Sequence, residues 1–313
     1  MATVDTTGAG GASGTSSSGS VADTGGSART SNSSSSTGGS AIVANSRRPA
    51  YAALAIRPLV VVTGASSGIG WHLARQCAAQ GFDLVLAADE PLAAAQAECE
   101  AQGARVLAAV QTDLATRTGV EALVAAIGAR PVYAVLANAG RSLGHAFLQQ
   151  RFVEARQVLD TNVVGTLHLL HRLVPGMRAR GVGRILVTAS IVAFQPGPFQ
   201  AVYNASKAFL HSFCFAFRNE LQGSGVSMTC LMPGATDTAV FARAGMQDTR
   251  IGAADWAKMD PAEVARAGIA ALLAGRADVV PGLVNRAIVA VSKVAPQPVL
   301  AELHRVMAEP GKA

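Results

Sequence analysis

The sequence predicts an α/β protein with a doubly wound parallel sheet of about seven strands and helices on both faces. Two observations lead to this fold class: short, uninterrupted apolar runs recur along the chain, and longer stretches with helical periodicity separate them. A third observation is a glycine-rich turn directly after the first apolar run. The predicted strands are Leu59–Val62, Leu84–Ala87, Val106–Val110, Val132–Ala137, Ile185–Thr188, Met228–Leu231 and Asp278–Val280.

The chain of 313 residues divides into three parts by composition. Residues 1–47 consist almost entirely of Ser, Gly, Thr and Ala and contain no run that could bury a core, so a disordered tail is expected. Residues 48–282 are expected to form one α/β domain, because strand-like runs alternate with helical patterns and no second linker interrupts them. Residues 283–313 are expected to form a helical C-terminal extension.

Charge, cysteine usage and hydropathy argue against several functional classes. The net charge is +6, but the basic residues form no run interleaved with aromatic residues. Nucleic acid is therefore not an expected partner. The four cysteines lack C-x-x-C spacing, and His168 and His171 share a helix face without a carboxylate at ligand spacing, so no metal site is expected.

No apolar stretch is long enough to span a membrane, and a secretory signal is missing. A cytoplasmic protein with reduced thiols is expected; a Ser-rich transit peptide is the alternative for the tail.

The first predicted strand is followed directly by the segment Thr63-Gly64-Ala65-Ser66-Ser67-Gly68-Ile69-Gly70. A strand that turns on glycines into a helix lets backbone N–H groups and the positive end of the helix approach a pyrophosphate. The spacing is G-x-x-x-G-x-G and differs from the G-x-G-x-x-G fingerprint of two-domain dehydrogenases. The preceding strand and the apolar helix that follows nevertheless indicate a dinucleotide site.

Tyr203 and Lys207 lie four residues apart in the run Tyr203-Asn204-Ala205-Ser206-Lys207. In a helix, positions i and i+4 share a face, so the phenol and the ammonium would point into the same space. A neighbouring ammonium stabilises phenolate and is expected to lower the pKa of Tyr203. The pair is therefore suited to moving a proton, although this spacing alone is also typical of a solvated helix face.

Residues that are distant in sequence are predicted to meet at one edge of the sheet. Crossovers between parallel strands are right-handed, so the carboxyl ends of the strands lie on the same side. This rule places Gly64, Asn138, Ser190 and Pro233 along that edge, with the helix of Tyr203 beside them. The signals for nucleotide binding and for proton transfer thus coincide in one predicted cleft.

With these motifs in this order, the sequence resembles the short-chain dehydrogenase/reductase family from about Pro58 to Gly282. The family has a single Rossmann-like domain, in agreement with the predicted fold. The further matching motifs are Asp113 after the third strand, Asn138-Ala139-Gly140 after the fourth, Thr161-Asn162-Val163-Val164-Gly165, and Pro233-Gly234 with Thr236 and Thr238.

The resemblance implies four catalytic residues and a nicotinamide cofactor at the glycine turn. Tyr203 would be the acid in carbonyl reduction and the base in alcohol oxidation, and Ser190 would hydrogen-bond the substrate oxygen. Lys207 would bind the nicotinamide ribose, and Asn162 would position a water that links Lys207 to solvent. The implied cofactor contacts are Thr63, Gly64, Ser66, Ser67, Gly68, Ile69, Gly70, Asp89, Asp113, Leu114, Asn138, Ala139, Gly140, Tyr203, Lys207, Pro233, Gly234, Thr236 and Thr238.

The choice between NAD and NADP depends on the end of the second strand, Leu86-Ala87-Ala88-Asp89-Glu90. An acid there binds the ribose 2′-hydroxyl of NAD, whereas Arg or Lys binds the 2′-phosphate of NADP. The family's NAD-selecting acid would fall at Ala88, and Asp89 takes the next position, where NADP enzymes commonly carry Arg. Two carboxylates repel a 2′-phosphate, so NAD is favoured and NADP stays open. Alternatively, Asp89 and Glu90, followed by Pro91, start the next helix as cap and first-turn acids.

A hydrophobic ketone, aldehyde or alcohol is the expected substrate. Residues between Ser190 and Tyr203, together with the variable segment after Thr238, are expected to line an apolar pocket with few polar contacts. These residues are Phe194, Gln195, Phe199, Gln200, Phe241, Met246, Trp256 and Pro261. The sequence thus predicts an enzyme, an NAD(P)-dependent oxidoreductase. The alternative is a nucleotide-binding sensor or scaffold of the same fold without turnover, which the four filled catalytic positions disfavour.

The family resemblance also implies a homodimer or homotetramer, because the helices after Asn162 and through Lys207 pack against a second subunit in the family. Phe209, Phe213 and Phe217 recur at i, i+4 and i+8, which is typical of a core or an interface.

The C-terminal extension is amphipathic over Leu283–Val294 and Val299–Met307. Packing on its own domain or on a second subunit is the expected role of these helices. Peripheral contact with a membrane is the alternative.

Overall fold

The computed structural model describes residues 57–254 and 258–312. Their strands are β1 (Leu59–Thr63), β2 (Asp83–Ala88), β3 (Val106–Gln111), β4 (Val132–Ala137), β5 (Gly183–Thr188), β6 (Val226–Leu231) and β7 (Asp278–Val279). These strands form one sheet in the order β3-β2-β1-β4-β5-β6-β7, and all neighbouring strands are parallel. The predicted fold class is confirmed, and β7 ends one residue earlier than predicted. The predicted tail, residues 1–47, lies outside the described range.

Helices connect the strands throughout the described residues. The α-helices are α1 (Gly68–Ala79), α2 (Ala93–Ala101), α3 (Arg117–Ile127), α4 (Phe152–Leu159), α5 (Thr166–Ala179), α6 (Ala201–Glu220), α7 (Val240–Arg243), α8 (Arg250–Ala253), α9 (Pro261–Leu273), α10 (Leu283–Ser292) and α11 (Gln297–Ala308). A π-helical segment, Asp160–Gly165, joins α4 to α5, and short 3-10 turns occupy Phe147–Gln149 and Ile191–Phe194.

Both faces of the sheet are covered by helices, which explains the uninterrupted apolar strands. Successive residues of β1 point to opposite sides: Val61 packs in a buried cluster with α3, α5 and α6, and Val62 packs in a second cluster with α1, α2 and α9. A strand buried on both faces needs apolar residues at every position rather than at alternate ones. The four cysteines are unpaired and buried in these two clusters, which confirms their predicted burial.

The position of the crevice follows from the strand order. β2 and β3 continue the sheet on one side of β1, and β4 to β7 continue it on the other. At such a switch point the connections leave neighbouring strands in opposite directions, and a crevice opens at the carboxyl ends of the strands. The glycine turn after Thr63 and the turn after Ala137 therefore form two sides of this crevice.

The C-terminal helices pack on the same domain. α10 contacts the turn Ile191–Phe194, and α11 contacts α8. His304 on α11 also lies 3.1 Å from the carbonyl oxygen of Pro198, measured from its Nδ1 atom. The apolar faces of these helices are thus placed beside the crevice. Within residues 57–254 and 258–312, every helix is too short or too polar to cross a membrane.

Candidate active site

A cavity of about 1030 Å³ opens at the carboxyl ends of β1, β4, β5 and β6. Gly64, Asn138, Ser190 and Pro233 all line it, and so does Tyr203 on α6. The parallel sheet therefore brings together the residues that the sequence pattern placed along one edge. The cavity is large enough for a dinucleotide and a small substrate, because ligand pockets usually measure about 300–1,000 Å³.

Two glycines allow the sharp turn at the base of this cavity. Gly64 and Gly68 have φ angles of 65° and 54°, in the region that favours glycine. Gly70 packs against the turn itself, since a Cβ there would lie 1.9 Å from the Gly64 carbonyl oxygen. α1 begins at Gly68, and the N–H groups of its first turn have no partner within the helix. These donors can bind a phosphate.

Hydrogen bonds from Thr63 and Asn138 hold the strand ends together below the cavity. The Thr63 hydroxyl accepts from the N–H groups of Asn138 and Ala139, both at 3.0 Å. Asn138 Nδ2 donates to the Thr63 carbonyl at 3.2 Å, and the Thr188 hydroxyl donates to Asn138 Oδ1 at 3.0 Å. The ends of β1, β4 and β5 are thereby fixed relative to one another.

The phenol of Tyr203 lies beside the hydroxyl of Ser190 in the cavity. Ser190 in turn donates to the Pro233 carbonyl at 3.2 Å. Burial raises the pKa of Tyr203 to about 12, and the neighbouring Ser190 hydroxyl opposes this shift with a smaller effect. The prediction that Lys207 lowers this pKa is wrong, because desolvation of the phenol dominates and the opposing contribution comes from Ser190.

Lys207 is buried and directed towards the end of β5. Its Nζ donates to the Thr188 carbonyl at 2.8 Å and lies 5.8 Å from the centre of the Tyr203 ring. Burial lowers the pKa of Lys207 to about 8, because the low-polarity surroundings disfavour its charged form. Gly140 lies close to both Lys207 and Asn162, since a Cβ on it would lie 3.4 Å from Lys207 Nζ and 3.2 Å from Asn162 Oδ1.

Asn162 lies in the π-helical segment, is completely buried and does not line the cavity. Its Oδ1 accepts from the Arg141 N–H at 2.7 Å, and its Nδ2 donates to the Arg141 carbonyl and to the Ser206 hydroxyl, both at 2.9 Å. The side chain thus fastens the chain after β4 to α6. Only one lone pair of Oδ1 is left for a water, and the predicted water-positioning role of Asn162 stays a prediction.

All but two of the predicted cofactor contacts line the cavity. The exceptions are Thr63 and Gly70, which lie directly behind the lining and shape the turn through the contacts described above. Three of the four predicted catalytic residues, Ser190, Tyr203 and Lys207, line the cavity, whereas Asn162 supports them from behind.

The carboxylates after β2 pair with arginines and do not cap a helix. α2 begins at Ala93, without a side-chain cap, so the capping alternative for Asp89 and Glu90 is wrong. Arg141 Nη2 lies 2.7 Å from Asp89 Oδ2, and Arg243 Nη2 lies 2.7 Å from Glu90 Oε2. All four residues line the cavity. Two positive and two negative charges therefore lie together at the part of the cavity next to the carboxyl end of β2.

Arg243 is a site residue that the sequence patterns did not reveal. It ends α7, and its Nη2 lies 3.4 Å from the Ser67 hydroxyl as well as beside Glu90. The contact depends on α7 lying over the glycine turn, which no local pattern encodes. The only sequence feature that could have indicated Arg243 as a site residue is its basic side chain shortly after the Thr236–Thr238 motif.

The substrate end of the cavity differs from the predicted one. The predicted residues that do line it are Gln195, Gln200 and Phe241. Phe194 instead packs edge-on against His211, with ring centres 4.6 Å apart, and Phe199 and Met246 belong to a small buried cluster. Pro261 starts α9 away from the lining, and Trp256 lies outside the described residues.

The wall that replaces them comes from the two C-terminal helices. Each helix turns one face to the cavity at the spacing i, i+3, i+4, i+7 and i+8. The lining residues are Val284, Ala287, Ile288, Val291 and Ser292 on α10, and Leu300, Leu303, His304, Met307 and Ala308 on α11. The amphipathic pattern predicted the helices but not the surface against which they would pack.

Comparison with known proteins agrees with this architecture. The family model for short chain dehydrogenases matches residues 58–248, more than half of the chain. The ketoacyl reductase HetN of Nostoc sp. is 32% identical over 219 residues, which cover 68% of this chain and 74% of that protein. The chain belongs to the short-chain dehydrogenase/reductase family and is an oxidoreductase, as its motifs predicted.

Two solved structures share the fold. A short-chain dehydrogenase from Sphingobium yanoikuyae in complex with NADPH has a TM-score of 0.66 at 26% identity, and the match covers 77% of this chain and 97% of the other. A short-chain dehydrogenase/reductase from Burkholderia phymatum in complex with NAD has a TM-score of 0.66 at 27% identity, with coverage of 75% and 92%. Both nicotinamide dinucleotides therefore occur on this fold.

Proposed function

We propose that the protein interconverts a hydrophobic ketone or aldehyde and the corresponding alcohol, with NAD or NADP as its cofactor. The observation that carries this proposal is the position of Tyr203 beside Ser190 in the cavity that also contains the glycine turn. A carbonyl oxygen gains negative charge when it is reduced, and it then needs a proton donor and a second hydrogen-bonding group. The two side chains meet both needs.

The base of the cavity fits a dinucleotide. A Cβ on Gly68 would lie 2.9 Å from the Thr238 side chain and would close the gap between the glycine turn and the segment after β6. The N–H groups of Ser66–Ile69 would hold the pyrophosphate, Asp113 the adenine, and Lys207 the hydroxyls of the nicotinamide ribose. When bound, the reduced nicotinamide supplies a hydride to the carbonyl carbon, and the oxidised form accepts one from an alcohol.

Tyr203 carries out the proton transfer in this proposal. Its phenol donates a proton to the carbonyl oxygen in reduction, and its phenolate accepts the hydroxyl proton in oxidation. Burial raises the pKa of Tyr203 to about 12, so the phenol is protonated at neutral pH and is ready to act as an acid. General acid–base catalysis of this kind contributes a factor of about 10²–10⁴ to the rate.

Ser190 positions the reacting oxygen beside the phenol. The Ser190 hydroxyl lies at the end of β5 and donates to the Pro233 carbonyl at 3.2 Å. Rotation of this hydroxyl towards the substrate oxygen exchanges one hydrogen bond for another, so the cost of binding is small. The oxygen is then held by two groups that come from elements fixed in the core.

We propose a modest preference for NAD over NADP. The carboxylates of Asp89 and Glu90 lie at the end of the cavity expected to receive the adenosine ribose, and they repel a 2′-phosphate. Arg141 and Arg243 neutralise much of this repulsion. The ratio of kcat/KM for NADH and NADPH, measured with one ketone, tests this preference; a strong preference for NADPH would contradict it.

Replacement of Tyr203 by Phe tests the proposed mechanism. Tyr203→Phe is expected to lower kcat/KM for ketone reduction by about 10²–10⁴-fold. The dissociation constant of NADH, measured by fluorescence, is expected to stay within about threefold of that of the wild type. Tyr133→Phe is the matched control, because Tyr133 packs against Phe82 on the other side of the sheet and is expected to keep its activity. Retained activity in Tyr203→Phe would remove the mechanism.

A further inference from the structure

The wall formed by α10 and α11 is almost entirely apolar, and His304 is one of its two polar residues. His304 lines the cavity and is 7% exposed. The other polar residue is Ser292, and the remaining wall residues are Val284, Ala287, Ile288, Val291, Leu300, Leu303, Met307 and Ala308. Burying a polar group costs free energy unless it forms hydrogen bonds. The hydrogen bonds of His304 therefore indicate what this wall binds.

One ring nitrogen of His304 is bound by the protein. Its Nδ1 lies 3.1 Å from the Pro198 carbonyl oxygen. A carbonyl oxygen only accepts, so Nδ1 must carry the hydrogen of this bond. Burial also lowers the pKa of His304, which favours the neutral ring at neutral pH. A neutral imidazole with its hydrogen on Nδ1 presents a lone pair at Nε2.

No donor to Nε2 of His304 is found among residues 57–254 and 258–312. Its lone pair is thus left for a group that enters the cavity. That group must be a hydrogen-bond donor, because a second acceptor would face the lone pair without a hydrogen between them. A hydroxyl is the simplest donor that an otherwise hydrophobic molecule can carry.

The charges around the cavity are confined to its cofactor end. The charged lining residues are Asp89, Glu90, Asp113, Arg141, Lys207 and Arg243, and all of them lie in or beside the segments that surround the glycine turn and the strand ends. α10 and α11 contribute no ionised side chain to the lining. From Leu300 to Met307, α11 presents about 10 Å of helix face. This wall therefore suits an uncharged, extended apolar molecule.

We propose that His304 is a substrate-binding residue whose Nε2 accepts a hydrogen bond from a hydroxyl group separate from the reacting carbonyl. The substrate is then a neutral, hydrophobic ketone or aldehyde that also carries a hydroxyl. This inference rests on the proposed function, because Tyr203 and Ser190 take the reacting oxygen. The C-terminal extension thereby determines the substrate class, while the family core provides the chemistry.

The test compares matched ketones and matched variants. Benzylacetone and its para-hydroxy derivative form one pair, and methyl nonyl ketone and its ω-hydroxy derivative form a longer pair. His304→Asn keeps an N–H near the position of Nδ1 and lacks the Nε2 lone pair. His304→Gln reaches further and can place an amide oxygen near the position of Nε2. The kcat/KM of each ketone is measured with NADH, and the affinity of each ketone for the enzyme–NAD⁺ complex is measured by calorimetry.

The wild type is expected to prefer the hydroxylated member of at least one pair by about tenfold in kcat/KM, the effect of one hydrogen bond to a buried acceptor. His304→Asn is expected to reduce this preference to about twofold or less, whatever the change in the rate with the unsubstituted ketone. His304→Gln is expected to recover part of the preference. The melting temperature of each variant shows whether the wall has kept its fold.

The outcomes separate this inference from the proposed function. Reduction of the ketones without any preference, or with a preference that survives in His304→Asn, would overturn the role of His304 and leave the proposed function standing. Binding that depends on His304, without turnover of any ketone, would overturn the proposed function and support the role of His304. If no ketone of either pair is bound or reduced, the proposed function and the role of His304 are both contradicted.

Discussion

Arg243 and Glu90 form an ion pair that joins α7 to the segment after β2, with 2.7 Å between Arg243 Nη2 and Glu90 Oε2. The two side chains are 51% and 44% exposed, so the pair contributes only about 0–1 kcal/mol to stability. Ser67 of the glycine turn lies 3.4 Å from the same guanidinium nitrogen. Because the pair is weak, Arg243 can exchange the carboxylate for a phosphate of a bound nucleotide at little cost.

This geometry makes Glu90 a predicted determinant of cofactor selectivity. Glu90→Gln removes a negative charge and releases Arg243, so kcat/KM with NADPH is expected to rise by about tenfold relative to NADH. Arg243→Gln is expected to shift the ratio the other way. The measurement is the ratio of kcat/KM for the two cofactors with one ketone.

The matched control for Glu90 is Glu98→Gln, because Glu98 is an acid of α2 that pairs with Arg75 away from the cavity. It is expected to leave the ratio unchanged. An unchanged cofactor ratio in both Glu90→Gln and Arg243→Gln would show that the ion pair does not face the ribose.

Local sequence patterns were sufficient to predict most of the fold and the central residues of the candidate site. A strand buried on both faces must be apolar throughout, so β1 was visible in sequence as the run Leu59–Val62. The glycine turn was visible because Gly64 and Gly68 adopt φ angles that other residues avoid. The spacing of Tyr203 and Lys207 placed both side chains on one helix face, and both line the cavity.

The features that sequence reasoning missed depend on tertiary packing. The face that α11 presents to the cavity is apolar like any packing face, so its pattern could not distinguish His304 as a cavity residue from His304 as a core residue. Arg243 meets Glu90 only because α7 lies over the glycine turn. The pKa of Tyr203 depends on how many neighbours exclude water from it, and an i, i+4 spacing contains no measure of burial.

The raised pKa of Tyr203 predicts opposite pH behaviour for the two reaction directions. Alcohol oxidation needs the phenolate, and well below a pKa of about 12 the phenolate fraction rises tenfold with each pH unit. The kcat/KM for a secondary alcohol at saturating NAD⁺ is therefore expected to rise by up to tenfold per unit between about pH 6.5 and 9.5. Ketone reduction needs the protonated phenol and is expected to lack this rise. Oxidation that is independent of pH over this range would contradict the assignment of Tyr203 as the base.

Exposed apolar side chains on neighbouring elements predict how the chain associates. Val164 in the π-helical segment and Phe209 on α6 are 53% and 45% exposed, and these two elements pack together. We predict that this surface is buried in a homodimer or homotetramer, so Phe209→Glu is expected to lower the oligomeric state, because a buried, unpaired charge is costly. Light scattering after size-exclusion chromatography measures the mass.

The matched control for Phe209 is Val182→Glu, because Val182 is 42% exposed and lies at the opposite end of the sheet, before β5. It is expected to leave the mass unchanged. A wild-type monomer, or an unchanged mass in Phe209→Glu, would contradict the interface.

The buried ammonium of Lys207 predicts a loss of stability that depends on pH. The folded protein lowers the pKa of Lys207 from 10.5 to about 8, so the unfolded chain binds more protons than the folded chain between these values. Stability from this group is therefore lowest below about pH 8 and rises as pH increases towards 10.5. At about 1.4 kcal/mol per pKa unit, the full change is about 3 kcal/mol.

Lys207→Met removes this titration and isolates the effect. The free energies of unfolding of the wild type and of Lys207→Met are measured by urea denaturation from about pH 7 to 10. As pH rises, the free energy of unfolding of the wild type is expected to increase by about 2–3 kcal/mol relative to that of Lys207→Met. The reason is that the folded wild type loses the buried charge of Lys207, whereas Lys207→Met has no charge to lose. Other titrating groups, including Tyr203, are common to both proteins and cancel in the difference. A difference that is constant with pH would mean that the Lys207 ammonium is not desolvated by the fold.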